Sequence, residues 1–254
     1  MRTISVVGIG AGDPEHVTVQ AINTLNTVEV VFIVDKGDQK RELTDLRREI
    51  CERYITRPGY RVVTAAEAPR DRQAAAYREA VDDWRRRRAD IYEQLITSEL
   101  GEDDHGAFLA WGDPAIYDST LHVLDEVRAR GTVDFELQVI PGISSIQALA
   151  ARHRVSLTRT GRPLHITTGR LLARGFPDNA DDVVVMLDAG GAFEDIETGG
   201  ARIYWGAYVG SPDEILVEGD AAEAGPKIAA ERAAARERHG WIMDSYLLRR
   251  PPAS

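Results

Sequence analysis

Two glycine-aspartate-proline triplets stand out: Gly12-Asp13-Pro14 in "SVVGIGAGDPEHVT" and Gly112-Asp113-Pro114 in "AWGDPAIYDST". Each closes an apolar run, and a third glycine loop, "VIPGISSIQA", closes another. Glycine lets the backbone approach a ligand closely, with its polar groups uncovered. The first loop comes near a dinucleotide fingerprint, whose glycines serve the turn, the pyrophosphate and helix–strand packing. Gly8 and Gly10 match the first two places. Asp13 stands in the third, where a carboxylate repels a pyrophosphate. Asp35, closing the second apolar run, is the acidic residue that a nicotinamide oxidoreductase would want, so hydride transfer keeps one feature and lacks its phosphate cradle. No Walker loop and no G-x-S-x-G elbow occurs, which leaves nucleotide hydrolysis and serine hydrolysis without support. His105, His122, His153 and His165 are scattered singly, without ligand-like spacing, and read as structural or solvent-facing; no metal is expected.

Elements must hold these loops. "ISVVGIG" reads as a buried parallel-type strand, "HVTVQAINTLNTV" as a helix and "EVVFIVD" as a second strand. Helices follow over 41–54 and about 71–100. "GAFLAWGDP" is a third strand, "STLHVLDEVRARG" a helix ending at Gly131, "FELQVIPGISS" a fourth strand and "SIQALAARHRV" a helix. This alternation predicts an α/β domain with a mostly parallel sheet over 1–157. Beyond it, "LHITTG", "DDVVVMLDAG", "ARIYWGAYVGSPDEILVEGD" and "WIMDSYLLRR" are strands with short connections, and "KIAAERAAARER" is a helix. A second α/β domain with a mixed sheet is predicted over 158–254. Loops leaving the carboxyl ends of strands gather at one crevice in such sheets.

The chain has 254 residues, 43% of them apolar, enough for a substantial core. Its net charge of −10 argues against a general nucleic-acid or anionic-membrane surface. The single cysteine, Cys51, excludes an internal disulfide and reads as a buried thiol on a helix. The apolar opening is too short for a span and lacks a cleavage site, so a cytoplasmic protein is expected. Arg85 to Arg88 read as a solvated helix face with acidic neighbours.

Four segments in order carry a resemblance. "VGIGAGDPEHVT", "GDPAIYDS", "VIPGISSIQALAA" and "YVGSPDEILVEG" resemble the signatures of the tetrapyrrole (corrin/porphyrin) methyltransferases, and together they cover nearly the whole chain. The resemblance implies two α/β domains with a cofactor trough between them, S-adenosyl-L-methionine as methyl donor, S-adenosyl-L-homocysteine as product, a polycarboxylate tetrapyrrole substrate and a homodimer. Overall similarity is greatest to the branch that methylates precorrin-5 at carbon 1 with release of acetate. The alternatives are another precorrin or uroporphyrinogen C-methyltransferase, a nicotinamide-dependent oxidoreductase, and a tetrapyrrole carrier without turnover.

Carried over by position, the resemblance implies cofactor contacts at Gly112, Asp113, Ile116, Ser144, Ser145, Leu187, Asp188 and Gly210. Gly10 and Asp13 fall on the substrate side. Lys36, Arg154, Arg159, Arg162 and Arg170, with Arg174, are candidates for the substrate's carboxylates, because guanidinium forks suit them. Asp35 is the first candidate to assist acetate release, by position, and Tyr117 the second. Two departures stand out. Ala11 replaces the family's proline in the first loop, and Leu187-Asp188-Ala189 replaces its aromatic-Met-Gly. A buried Asp188 would need a hydrogen-bonded partner, such as the ligand's amino or ribose groups; the equal alternative is a solvent-facing, structural Asp188.

Overall fold

The computed structural model describes residues 1–35, 41–68, 77–177 and 179–251. Packing divides it into two units: Met1–Gly10 with Pro14–Ile143, and Ala11–Asp13 with Ser144–Ser254. The first unit holds strands β1 (Arg2–Gly8), β2 (Val30–Asp35), β3 (Arg61–Ala66), β4 (His105–Ala110) and β5 (Phe135–Ile140). They lie in the order β3-β2-β4-β1-β5, and every pairing is parallel. Edge strand β3 was not anticipated: "RVVTAA" has no fully buried residue and little apolar contrast.

Both faces of this sheet are covered, which is why β1 reads as a continuous apolar run. Ile4, Val6, Phe32 and Phe108 meet helices α3 (Tyr77–Glu99) and α4 (Thr120–Arg130) through Tyr92, Ile96 and Leu124. Tyr92 stands edge-on to Phe108 with ring centroids 4.3 Å apart. Val7, Ile9, Val31 and Ile33 meet α1 (Val19–Leu25) and α2 (Arg41–Tyr54) through Leu25, Ile50 and Cys51. Local chemistry sets the helix ends. The Thr18 hydroxyl caps α1 by accepting from the Ala21 N–H at 3.0 Å, and Gly131 stops α4 in the left-handed region at φ 69°.

The second unit contains α5 (Ser145–His153), β6 (Leu164–Thr168), α6 (Gly169–Leu172), β7 (Asp182–Met186), β8 (Arg202–Ala207), β9 (Ile215–Asp220), α7 (Ala221–His239) and β10 (Asp244–Arg249). The sheet order is β6-β7-β10-β8-β9, with β6–β7 parallel and the other pairs antiparallel. The sheet is therefore mixed. The core of this unit contains Trp205, Tyr246, Phe193 and Ile228. The sequence reading runs the first domain to residue 157, whereas packing assigns α5 to the second unit, because its inner face meets β8 and β10.

Candidate functional site

Three strands lie side by side as β4-β1-β5, so the three glycine loops leave the sheet as neighbours at its carboxyl end. They are joined backbone to backbone. Gly10 N–H donates to the Gly112 carbonyl at 3.3 Å, and Gly112 N–H returns a bond to the Gly10 carbonyl at 2.8 Å. A methyl group on Gly8 would stand 2.5 Å from the Gly142 nitrogen and 2.9 Å from the Gly112 oxygen. One on Gly142 would collide with the Gly112 oxygen outright. The glycines are there for this three-way approach.

Asp113 completes the junction. One carboxylate oxygen accepts from Gly142 N–H at 2.9 Å and the other from Ala115 N–H at 2.8 Å. Its carbonyl accepts from Ile116 N–H at 3.1 Å. Asp113 thereby ties the second loop to the third and fixes where Gly112 and Ile116 stand. Tyr117 follows with φ 51°, a strained conformation for a non-glycine residue, and the residue is 47% exposed. Partial burial pushes its phenol above the ordinary value.

Two buried guanidiniums stand behind this loop, and sequence reasoning missed both. Arg47 on α2 donates to the Leu109 carbonyl at the end of β4 (3.2 Å) and to the Leu43 carbonyl (2.7 Å). Burial pulls it below the ordinary arginine value. Arg88 on α3 pairs with Glu67 at 2.9 Å, donates to the Ser119 hydroxyl and to the Tyr92 hydroxyl at 2.7 Å, and stacks on Trp84. With Asp118 and Thr120 they line a cavity of about 20 Å³, room for one water. The solvated-face reading holds for Arg85, Arg86 and Arg87, which pair with Asp82 and Asp83, and is corrected for Arg88. A run of four arginines in sequence hides which one faces inward. Asp35, half-buried at the end of β2, accepts from the Thr44 hydroxyl at 3.1 Å.

In the second unit, the turn after β7 carries Leu187 and Asp188. Leu187 takes φ 54° and is 65% exposed. Asp188 is buried and satisfied by the chain itself: its carboxylate accepts from the N–H groups of Gly190, Gly191 and Ala192 and from the Tyr246 hydroxyl at 2.6 Å. Its carbonyl accepts from Arg232 at 2.6 Å. The partner that a buried Asp188 needs is thus supplied by the chain itself, and its carboxylate holds the turn. Arg232 in turn pairs with Asp244, whose carboxyl burial pushes up although the guanidinium opposes this.

Ser144 is likewise committed locally. Its N–H and hydroxyl both donate to the Gln147 side-chain oxygen, at 2.7 and 2.5 Å, capping α5, and Ser145 is the first residue of that helix. Gly210 donates to Glu214 at 2.9 Å, and Glu214 pairs with Arg152 at 2.5 Å. Gly12 lies against the Val209–Ser211 backbone, and Asp13 adds its charge near Arg152. Among the proposed substrate arginines, Arg159 pairs with the fully buried Asp182 at 2.9 Å, Arg162 with Asp181 at 3.2 Å, and Arg154 and Arg170 are exposed, as is Arg174. Lys36 lies outside the described residues.

His105 and His153 are partnered and structural, and His122 and His165 face solvent, as expected. Among the described residues no cluster of three or more His, Cys, Asp or Glu side chains could hold a metal ion, and no helix is long and apolar enough to cross a membrane.

Comparison with known proteins adds three findings. Residues 3–225 match the family profile of the tetrapyrrole (corrin/porphyrin) methylases. The chain is 52% identical over 250 residues to a precorrin-6A synthase [deacetylating] of a Sinorhizobium species, covering 98% of this chain and 96% of that one. It matches the crystal structure of a cobalamin-synthesis-related protein, CobF, from Corynebacterium diphtheriae with TM-score 0.85 and 36% identity, over 98% of each chain. The fold is shared with a uroporphyrin-III C-methyltransferase from Thermus thermophilus, solved with S-adenosylhomocysteine, at TM-score 0.57 and 18% identity over 97% of this chain and 91% of that one.

Proposed function

We infer the function from one premise: this chain belongs to the tetrapyrrole (corrin/porphyrin) methylase family. Within it, the chain acts as a precorrin-6A synthase (deacetylating), a methyltransferase of cobalamin biosynthesis that methylates precorrin-5 at carbon 1 and releases acetate. The observation that carries this is the 52% identity to the Sinorhizobium enzyme over nearly the full length of both chains.

S-adenosyl-L-methionine, when bound, supplies an electrophilic methyl group on a sulfonium. The residues present fit such a donor. Leu187 offers an exposed aliphatic surface from a held turn, suited to a purine face, and the locked second loop holds the backbone around Gly112 and Ile116 in a fixed position. Gly210 is fixed by Glu214. Methyl transfer needs alignment above all, and loops pinned backbone to backbone supply it. Asp113, Asp188 and Ser144 take positioning parts, each through bonds to its own chain. Gly10 and Asp13 line the substrate side. The exposed Arg154 and Arg170, with Arg159 and Arg162 beside them in sequence, meet the substrate's carboxylates. Asp35 and Tyr117 are the acid–base groups the sequence nominates for acetate release. The enzyme works as a homodimer in the cytoplasm.

Incubation with methyl-labelled S-adenosyl-L-methionine and precorrin-5, followed by mass spectrometry and acetate assay, tests the reading. The expected product gains the labelled methyl and loses a two-carbon unit. A methylated product that keeps the two-carbon unit, or no labelled product, overturns it.

A further inference from the structure

Two ring nitrogens have no place in that account. His16 Nδ1 and Trp111 Nε1 are buried and have no hydrogen-bond partner among the described residues. Two other part-buried histidines contrast with this: His105 meets Ser5 at 2.8 Å and Thr27 at 3.2 Å, and His153 meets the Trp205 carbonyl at 3.0 Å and Glu218 at 3.3 Å. A buried polar group left unpaired calls for an explanation, and a partner that arrives during function is one.

Their placement supports that explanation. His16 ends the short helical turn Pro14–His16 in the first loop, and its Cβ lies so close to Gly10 that no side chain fits there. Gly10 is bonded in both directions to Gly112, and Trp111 immediately precedes Gly112. Trp111 packs on the same apolar cluster as Val17, the neighbour of His16. Both rings therefore sit at the carboxyl ends of adjacent strands, where open α/β sheets bind ligands. One ring nitrogen can take a proton. The indole N–H can only donate.

We propose that His16 is the general base of the acetate-releasing step and that Trp111 is the donor to the oxyanion formed in it. The assignment rests on the reading as precorrin-6A synthase and moves the proton-accepting part from Asp35, whose carboxylate is bonded by Thr44, to His16. Water attacks the acetyl carbonyl carbon while Nδ1 takes one of its protons. The carbonyl electron pair moves onto oxygen, where the Trp111 N–H holds it. As the pair returns, the bond between the acetyl carbon and ring carbon 1 breaks, and its electrons pass into the conjugated macrocycle. Acetic acid leaves and ionises, and His16 gives its proton to solvent. The ring carbon is left with an electron pair that a bound methyl donor would take up, so acetate release precedes methylation.

Single-turnover assays of the full chain with precorrin-5, following acetate and labelled methyl separately, test this on His16→Ala and Trp111→Phe. Acetate release should fall about 100-fold or more in each variant. Calorimetry with S-adenosyl-L-homocysteine and thermal unfolding should match the wild type. Added imidazole should restore acetate release to the His16→Ala variant alone, which a merely structural histidine would not permit. Acetate release within about threefold of wild type in His16→Ala, or a loss that imidazole does not relieve, overturns the assignment. If the wild-type protein itself methylates precorrin-5 without acetate, the functional reading fails, and this assignment with it.

Discussion

At the scale of single residues, the site is built of groups whose work is to hold the backbone. Asp113 uses both carboxylate oxygens on N–H groups of the second and third loops. Replacing it by alanine strands two donors and should cost about 1–3 kcal/mol, read by urea unfolding. Because the second loop would loosen, affinity for S-adenosyl-L-homocysteine should fall as well. Gly142 is tighter still. Gly142→Ala places a methyl group against the Gly112 oxygen, with backbone on both sides and no flexible side chain to yield. That variant should lose cofactor affinity at least tenfold by calorimetry, since loop separation of even an ångström spoils alignment.

Elements show how such residues are steadied from behind. The turn after β7 presents Leu187 in the left-handed region, and it is held from below by Asp188, Tyr246 and Arg232, with Arg236 donating to the Ala189 carbonyl. Strain of this kind persists only where surroundings over-determine it. Leu187→Gly should raise stability slightly, by up to about 1 kcal/mol, and weaken S-adenosyl-L-homocysteine binding, a divergence that unfolding and calorimetry on one sample would reveal. Asp188→Ala should do the opposite to stability. It leaves three N–H groups and a tyrosine hydroxyl unpaired, for a loss of about 2–4 kcal/mol in urea unfolding. At the other end of the scaffold, Arg47 and Arg88 reach from α2 and α3 to β4 and the loop after it, so two helices brace that loop from buried positions.

For the molecule as a whole, Cys51 provides a pH probe of the first unit. It lies on the buried face of α2, and burial pushes its thiol up to about 12. A group raised in the folded state contributes stability that is complete below the unfolded value and is lost as pH rises toward the folded one. Unfolding temperature should therefore decline between about pH 9 and 12, and Cys51→Ala should decline less steeply over that window. A thiol reagent at neutral pH should leave the native chain unmodified and label it only after unfolding.

Much was readable before any coordinates. An unbroken β-branched run marks β1 as a buried parallel-type strand, glycine marks the end of α4 at Gly131, and the ordered loop signatures carry the family. Edge strand β3 escaped because one exposed face removes the apolar run on which such reading depends. Arg88 escaped because four like residues in a row differ only in the face they present. For Asp188, a sequence shows the carboxylate and not the N–H groups that fold back on it. The chain's pattern of polarity and turn residues thus determined its elements, its family and which loops carry the chemistry, since those follow from local backbone preference and period. Only the tertiary structure decided which polar groups in those loops are already satisfied by the chain and which, like His16 Nδ1 and Trp111 Nε1, have no partner among the described residues, because hydrogen-bond satisfaction depends on groups brought together from distant parts of the sequence.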